Sequence, residues 1–319
     1  MKAIWMTGKG GPEVLELREV EKPVPAAGEV LIRVAAAGLN RADIYTRTST
    51  SYGGDTGIPG LEVSGIIEST GPGVSRWKPG DAVCALVNGG GYAEYAAVPA
   101  GQCLPVPNGW SLEDAAGLPE AVLTVWLNAM RTAHLRSGDH FLVHGGTSGI
   151  GIVAIQLATA IGADVYTTAG TDEKCRFCEK LGARKAVNYK TGDFEAELAG
   201  IGIDVILDMT GGDFTPKNLR LLREEGRIVY INAMRGREST IDIREIMTKR
   251  IALTGSMLRP RDTAFKSALT AEVEAGAWPL INNGGVKPVV YRVLPLAEAA
   301  EAQCIMETSQ HIGKILLRT

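Results

Sequence analysis

Cysteine, histidine and strong charge are all scarce in this 319-residue chain. The five cysteines (Cys84, Cys103, Cys175, Cys178, Cys304) are odd in number and too few for a disulfide framework, which fits reduced thiols and a cytoplasmic protein. The four histidines (His134, His140, His144, His311) show no metal-ligand spacing. Cys175-Arg-Phe-Cys178 is a lone C-x-x-C in an expected surface helix; without a second pair it reads as two partly buried thiols. No apolar run approaches a membrane span, and the opening "MKAIWMTGKGGPEVLEL" has no core of signal-peptide length. A formal charge of −3, with no basic run interleaved with aromatics, argues against nucleic acid or a membrane surface as main partner.

What is present is ordinary globular composition, 45% apolar and 22% charged, in a chain long enough for two domains. Such a chain buries roughly three quarters of its unfolded surface and needs no metal or disulfide to fold.

Residues 1–119 read as short strands punctuated by glycine and proline, among them "VLIRVAAAGLN", "VSGIIEST", "DAVCAL" and "YAEYAAVP". This predicts a mostly β domain. From Glu120 the pattern changes: "EAVLTVWLNAMRTAHL" has helical spacing, and strands then alternate with helices. Strands are expected at Phe141–His144, Asp164–Thr168, Ala186–Asn188, Asp204–Leu207, Arg227–Asn232 and Ile251–Ser256. Six strands alternating with helices predict a doubly wound parallel sheet over 120–262. The strand–helix–strand after the helix "TAFKSALTAEVEAG" is expected to rejoin the first domain, giving 1–119 with 263–319.

The first of those six strands runs into His144-Gly-Gly-Thr-Ser-Gly-Ile-Gly151 and then a helix. Laid on G-x-G-x-x-G, Gly146 is first, Ser148 stands at the second position and Gly151 is third. A glycine turn placed between strand and helix meets a dinucleotide pyrophosphate with free N–H groups and a positive dipole end. The second strand ends Thr168-Ala169-Gly170, with no carboxylate until Asp172. NAD enzymes usually end this strand in Asp or Glu, which binds the ribose hydroxyls and repels a 2′-phosphate. The missing acid, with Lys174 in the first turn of the next helix, predicts NADPH over NADH. A lysine at that place is otherwise a solvated surface residue.

The segments "GLNRADIYTR", "GLEVSG", "GPGVSRWKPGD", "LPEAVLTVW", "HGGTSGIG", "AGTDEKC", "LGARKAVNY", "ILD" and "IGKILL" run in this order from one end of the chain to the other. Together they resemble the zinc-independent quinone oxidoreductases of the medium-chain dehydrogenase/reductase superfamily. "LNRAD" and "PEAVLTVW" look like the tumour-suppressor-inducible branch, which also tolerates serine in the middle of the turn. The resemblance implies an α/β protein, with a GroES-like mostly β catalytic domain plus a Rossmann domain and NADPH between them. It also implies a homodimer through the Rossmann sheet edges, with "IALTGS" as the edge strand. It places Gly149 and Ile150 at the pyrophosphate, and Gly170, Lys174 and Tyr189 around the 2′-phosphate. Asn40 and Thr124 then lie beside the nicotinamide, and Ser256, Met257 and Leu258 in the segment returning toward it.

Related zinc alcohol dehydrogenases carry cysteine where this chain has Asn40 and histidine where it has Leu61; near the third ligand the chain reads "AGLPEAV". Amide and isobutyl groups cannot replace thiolate and imidazole around Zn²⁺, so no metal is expected. Quinones accept a hydride without a Lewis acid, leaving the protein to orient the ring and stabilise developing oxyanion charge. Asn40, Tyr45 and Tyr52 are the polar groups expected near the acceptor. Either tyrosine is an aromatic wall or plain core packing, and neither is expected to be an essential proton donor. Reduction of activated C=C bonds in enones, alkenals or enoyl thioesters is the alternative chemistry on the same fold.

Overall fold

The computed structural model describes residues 1–48 and 57–319. They form two compact units: Met1–Leu123 with Arg261–Asn282 and Pro288–Thr319, and Thr124–Pro260 with Asn283–Lys287.

The first unit opens with an antiparallel ribbon, β1 (Lys2–Met6) and β2 (Leu15–Glu19), and continues through β3 (Glu29–Gly38), β4 (Glu62–Thr70), β5 (Ala82–Leu86), β6 (Tyr95–Pro99) and β7 (Cys103–Pro105). The second unit contributes β8 (His140–His144), β9 (Asp164–Ala169), β10 (Lys185–Asn188), β11 (Ile203–Asp208), β12 (Leu222–Tyr230) and β13 (Ala252–Gly255). The chain then returns with β14 (Val290–Pro295) and β15 (Lys314–Arg318), which join the first sheet in the order β14-β15-β3-β4-β5-β7.

β3 organises that sheet. One edge is taken by β4; the other is divided, Glu29–Arg33 pairing with β6 and Ala36–Gly38 with β15. The end of β3 is thereby tied to the start of β15, and Leu39 N donates to Ile315 O at 2.9 Å. Val30, Ile32, Val34, Val63, Val83, Val98, Ile315 and Leu317 fill the core beneath. β-branched residues suit such a pleated, buried surface.

The second sheet is wholly parallel, ordered β10-β9-β8-β11-β12-β13. Its central strands are apolar runs rather than alternating ones because helices cover both faces. The order reverses direction on either side of β8, so the carboxyl ends of β8, β9 and β11 flank the switch point where such sheets bind ligands.

Three details depart from the sequence reading. The helix expected after Glu120 is α-helical only over Pro119–Val125; Trp126–Thr132 widens into π-helical turns, where Ala133 N donates to Asn128 O at 3.0 Å. β12 starts at Leu222, five residues ahead of the expected start, because a bulge at the charged "REEG" breaks its alternation; Glu225 there has φ 60°. Arg41–Thr48 is a helix inside the β-rich unit.

Candidate functional site

In the second unit the glycine turn and two strand ends meet. Gly145 N and Gly146 N donate to Thr168 O at 3.1 and 3.0 Å, binding the turn to the end of β9. Ser148 caps the helix Gly149–Ala160: its Oγ accepts from Gly151 N at 3.0 Å and donates to Gly145 O at 2.8 Å. Its backbone is extended (φ −72°, ψ 161°), so nothing at this position demands glycine, and a capping hydroxyl is the better choice. Gly151 has no such freedom, since a Cβ would collide with Gly145 O and lie 2.7 Å from Gly146 Cα. A Cβ on Gly146 would come within 2.8 Å of Cys178 Sγ. The amides of Gly149 and Ile150 open the helix and have no intrahelical acceptor, the arrangement of donors that anions can meet at a helix start.

β9 ends at Ala169, and Gly170 follows without a carboxylate. A Cβ on Gly170 would lie 3.2 Å from the Tyr189 hydroxyl and 3.4 Å from Lys190 Cε. Burial, followed by the positive charge of Lys190, holds the Lys174 ammonium below its usual pKa. Two ammonium groups and a phenol thus gather at the end of β9, an arrangement that favours a bound dianion. Asp172, the first acid after Gly170 in the chain, is engaged by Asn188 Nδ2 at 2.7 Å. The sequence reading contains Gly170, Lys174 and Tyr189; it misses Lys190, although that residue directly follows Tyr189.

Another omission is Asn128. Its Nδ2 donates to Thr124 O at 2.8 Å and its Oδ1 accepts from Ser256 Oγ at 2.6 Å, so one amide joins two segments assigned to the nicotinamide end. Leu258 is buried, whereas Met257 is 54% exposed.

In the first unit Asn40 sits in a network of charges. Its Nδ2 donates to Glu62 Oε1 at 2.9 Å, and its Oδ1 accepts from Lys314 Nζ at 2.9 Å. Lys314 also pairs with Glu62 and donates to Leu39 O at 3.0 Å. Glu62 Oε2 accepts from Glu120 N at 2.9 Å. Below them, Asp43 Oδ2 accepts from Asn40 N and from the Tyr92 hydroxyl, both at 2.9 Å. Burial pushes the Asp43 carboxyl up to about 6. Burial and then the Glu62 charge push Glu120 up to about 7. Tyr45 is half-buried on the Arg41–Thr48 helix, and Tyr52 lies outside the described residues.

The alcohol dehydrogenase GroES-like domain matches residues 26–108 and the zinc-binding dehydrogenase family matches residues 149–308. A rat (Rattus norvegicus) quinone oxidoreductase is 33% identical, over 99% of this chain and 97% of its own length. The chain belongs to the zinc-independent quinone oxidoreductases of the medium-chain dehydrogenase/reductase superfamily. A 2-haloacrylate reductase from a Burkholderia species is 31% identical over 97% and 96% of the two chains. The structure of Escherichia coli quinone oxidoreductase complexed with NADPH matches with a TM-score of 0.88 and 28% identity, covering both chains completely.

The zinc in the name of the matching dehydrogenase family does not fit the residues of this member. Asn40 has both ends of its amide engaged, Leu61 is a buried hydrocarbon, and Glu62 is already neutralised by the Lys314 ammonium. Among the described residues no three His, Cys, Asp or Glu side chains are arranged to hold a metal ion. Cys175 and Cys178 are free and buried, and Cys178 Sγ packs close to Gly146.

Proposed function

We propose that this oxidoreductase passes a hydride from NADPH to a quinone without a metal. The observation that carries the reading is the Lys314–Glu62 pair on Asn40, which sets an ammonium rather than a Lewis acid beside this residue and suits an acceptor needing none. When bound, NADPH supplies the hydride. Gly149 and Ile150 hold its pyrophosphate through helix-start amides, and Gly146 and Ser148 shape the turn against which it lies. Gly170, Lys174 and Tyr189 hold the 2′-phosphate. Thr124, Ser256, Met257 and Leu258 border the nicotinamide, with Asn40 offering an amide N–H to developing oxyanion charge. Tyr45 offers an aromatic face to the acceptor, and solvent protonates the quinolate. The NADPH complex of the E. coli relative and the quinone oxidoreductase relatives support this assignment.

Reduction of activated C=C bonds is the second reading, favoured by the likeness to a 2-haloacrylate reductase. Following NADPH oxidation across quinones, enones, alkenals and haloacrylates decides between them. Quinones should exceed the others about tenfold or more in kcat/KM. The reverse order favours the second reading, and no oxidation with any acceptor removes both.

We also propose a homodimer through β13. This strand is an edge of its sheet, Ala252, Thr254 and Gly255 are exposed, and the preceding helix Ile243–Lys249 presents Ile243 and Met247 at 67% and 71% exposure. Five free cysteines suit a reducing cytoplasm, and among the described residues no helix is long and apolar enough to cross a membrane.

A further inference from the structure

Glu62 is fully buried and Lys314 is only 8% exposed. An ion pair so placed is a weak stabiliser, because desolvation offsets the Coulomb attraction and apolar residues of similar volume often serve the fold as well or better. Stability therefore gives little reason for carrying this pair. Its contacts give a better one. The ammonium faces three oxygens, Leu39 O, Asn40 Oδ1 and Glu62 Oε1, and the same Glu62 oxygen accepts from Asn40 Nδ2. A cation thus fixes the oxygen end of the Asn40 amide and an anion fixes its nitrogen end. Flipping the amide would set NH₂ against the ammonium and C=O against the carboxylate, and charge-assisted bonds make that reversal costly.

We propose that Lys314 and Glu62 are positioning residues that lock Asn40 in a single amide orientation, so that one N–H stays available to a bound carbonyl. Glu62 takes the first N–H of the amide. The second has only Gly38 O at 3.5 Å, a contact too long to compete with a ligand. This inference rests on the reading that puts Asn40 beside the nicotinamide and acceptor. Lys314, reached 274 residues further along the chain, does its work through Asn40.

The decisive variant is Lys314→Met combined with Glu62→Gln. It removes both charges together, leaves no unpaired buried ion, and keeps an acceptor for Glu120 N. Three measurements are made: melting temperature, NADPH dissociation constant by fluorescence, and hydride-transfer rate to a quinone in a single turnover. Melting temperature and NADPH affinity should stay near the wild-type values, while hydride transfer falls about 10- to 100-fold. Lys314→Arg, which retains the cation, should restore most of the rate. In an Asn40→Ala background the double substitution should have no further effect, since the pair acts through Asn40. Wild-type hydride transfer in the double variant, or a loss that adds to that of Asn40→Ala, overturns the proposal. Asn40→Ala alone transferring at the wild-type rate instead overturns the underlying reading of Asn40, and the proposal with it. Should the double variant fail to fold, Lys314→Gln with Glu62→Gln, equally without a buried charge, carries the same two outcomes.

Discussion

His144 Nε2 lies 2.8 Å from Asn218 Oδ1, both fully or almost fully buried, and the direction of that bond is fixed by a third residue. Asn218 Nδ2 donates to Asp208 Oδ2 at 2.9 Å, so Asn218 must turn its oxygen toward the imidazole. His144 therefore carries its proton on Nε2 and accepts at Nδ1 from the Thr168 hydroxyl at 3.0 Å. Burial holds the ring below its usual pKa, that is, neutral. Asp208 Oδ1 in turn accepts from Thr210 N at 2.6 Å and Gly211 N at 3.1 Å, so the chain of bonds joins the ends of β8, β9 and β11. Asn218→Leu strips partners from His144 and from the Asp208 carboxylate and should cost about 3 kcal/mol in urea unfolding. Nitrogen NMR of the wild type should show the Nε2–H tautomer at neutral pH; an Nδ1–H signal contradicts the assignment.

The two lysines beside Gly170 should divide cofactor preference between them. Lys174→Ala and Lys190→Ala should each lower the ratio of NADPH to NADH affinity about tenfold to a hundredfold, in line with about 1.5–3 kcal/mol for a charge-assisted contact. Titration with 2′,5′-ADP and 5′-AMP isolates the effect from catalysis. An unchanged ratio in the Lys174 variant removes the 2′-phosphate assignment.

The glycine turn separates two kinds of requirement. Gly151→Ala meets backbone, which cannot step aside, and should abolish dinucleotide binding or destabilise the helix start. Ser148→Ala loses only a cap, costing about 1 kcal/mol, and Ser148→Gly only a few tenths. Thermal melts with and without NADPH rank the three variants, and equal behaviour of Gly151→Ala and Ser148→Ala would contradict the collision.

Asp43 gives a pH signature. Its folded pKa, about 6, lies above the ordinary 3.8, so the folded protein holds this proton more tightly than the unfolded chain does. The group's contribution to stability is complete below pH ~4 and declines as pH rises through ~6. Asp43→Asn keeps an oxygen for Asn40 N and the Tyr92 hydroxyl but cannot titrate. Wild-type stability measured relative to this variant should fall between pH 4.5 and 6.5, and a flat difference refutes the shift.

The Rossmann half is legible in the sequence because its signals are local. Apolar runs such as "FLV" and "DVILD" are continuous, and Ser148 and Thr171 sit directly before the helices they cap. Legibility fails where a strand carries charge, as in "LREEGRIVY", whose bulge interrupts the pattern over several residues. The candidate site divides the same way. Gly146, Ser148, Gly170 and Lys174 are singled out by their distance from a strand end. Asn128, Asn218 and Lys314 are not, because each acts on residues brought near only by folding, across gaps of up to 274 positions. Nothing in "IGKILL" announces that its lysine answers to Asn40.

The divided edge of β3 bears on what building a zinc centre in this unit would require. Because Ala36–Gly38 pairs with β15, the lysine opening β15 is delivered to the place where ligands would have to stand. An engineer who wrote only Asn40→Cys and Leu61→His would set a new cation in competition with an ammonium that the backbone itself holds there. Building a zinc centre thus demands a matched edit at Lys314, at the far end of the chain, before either ligand is useful.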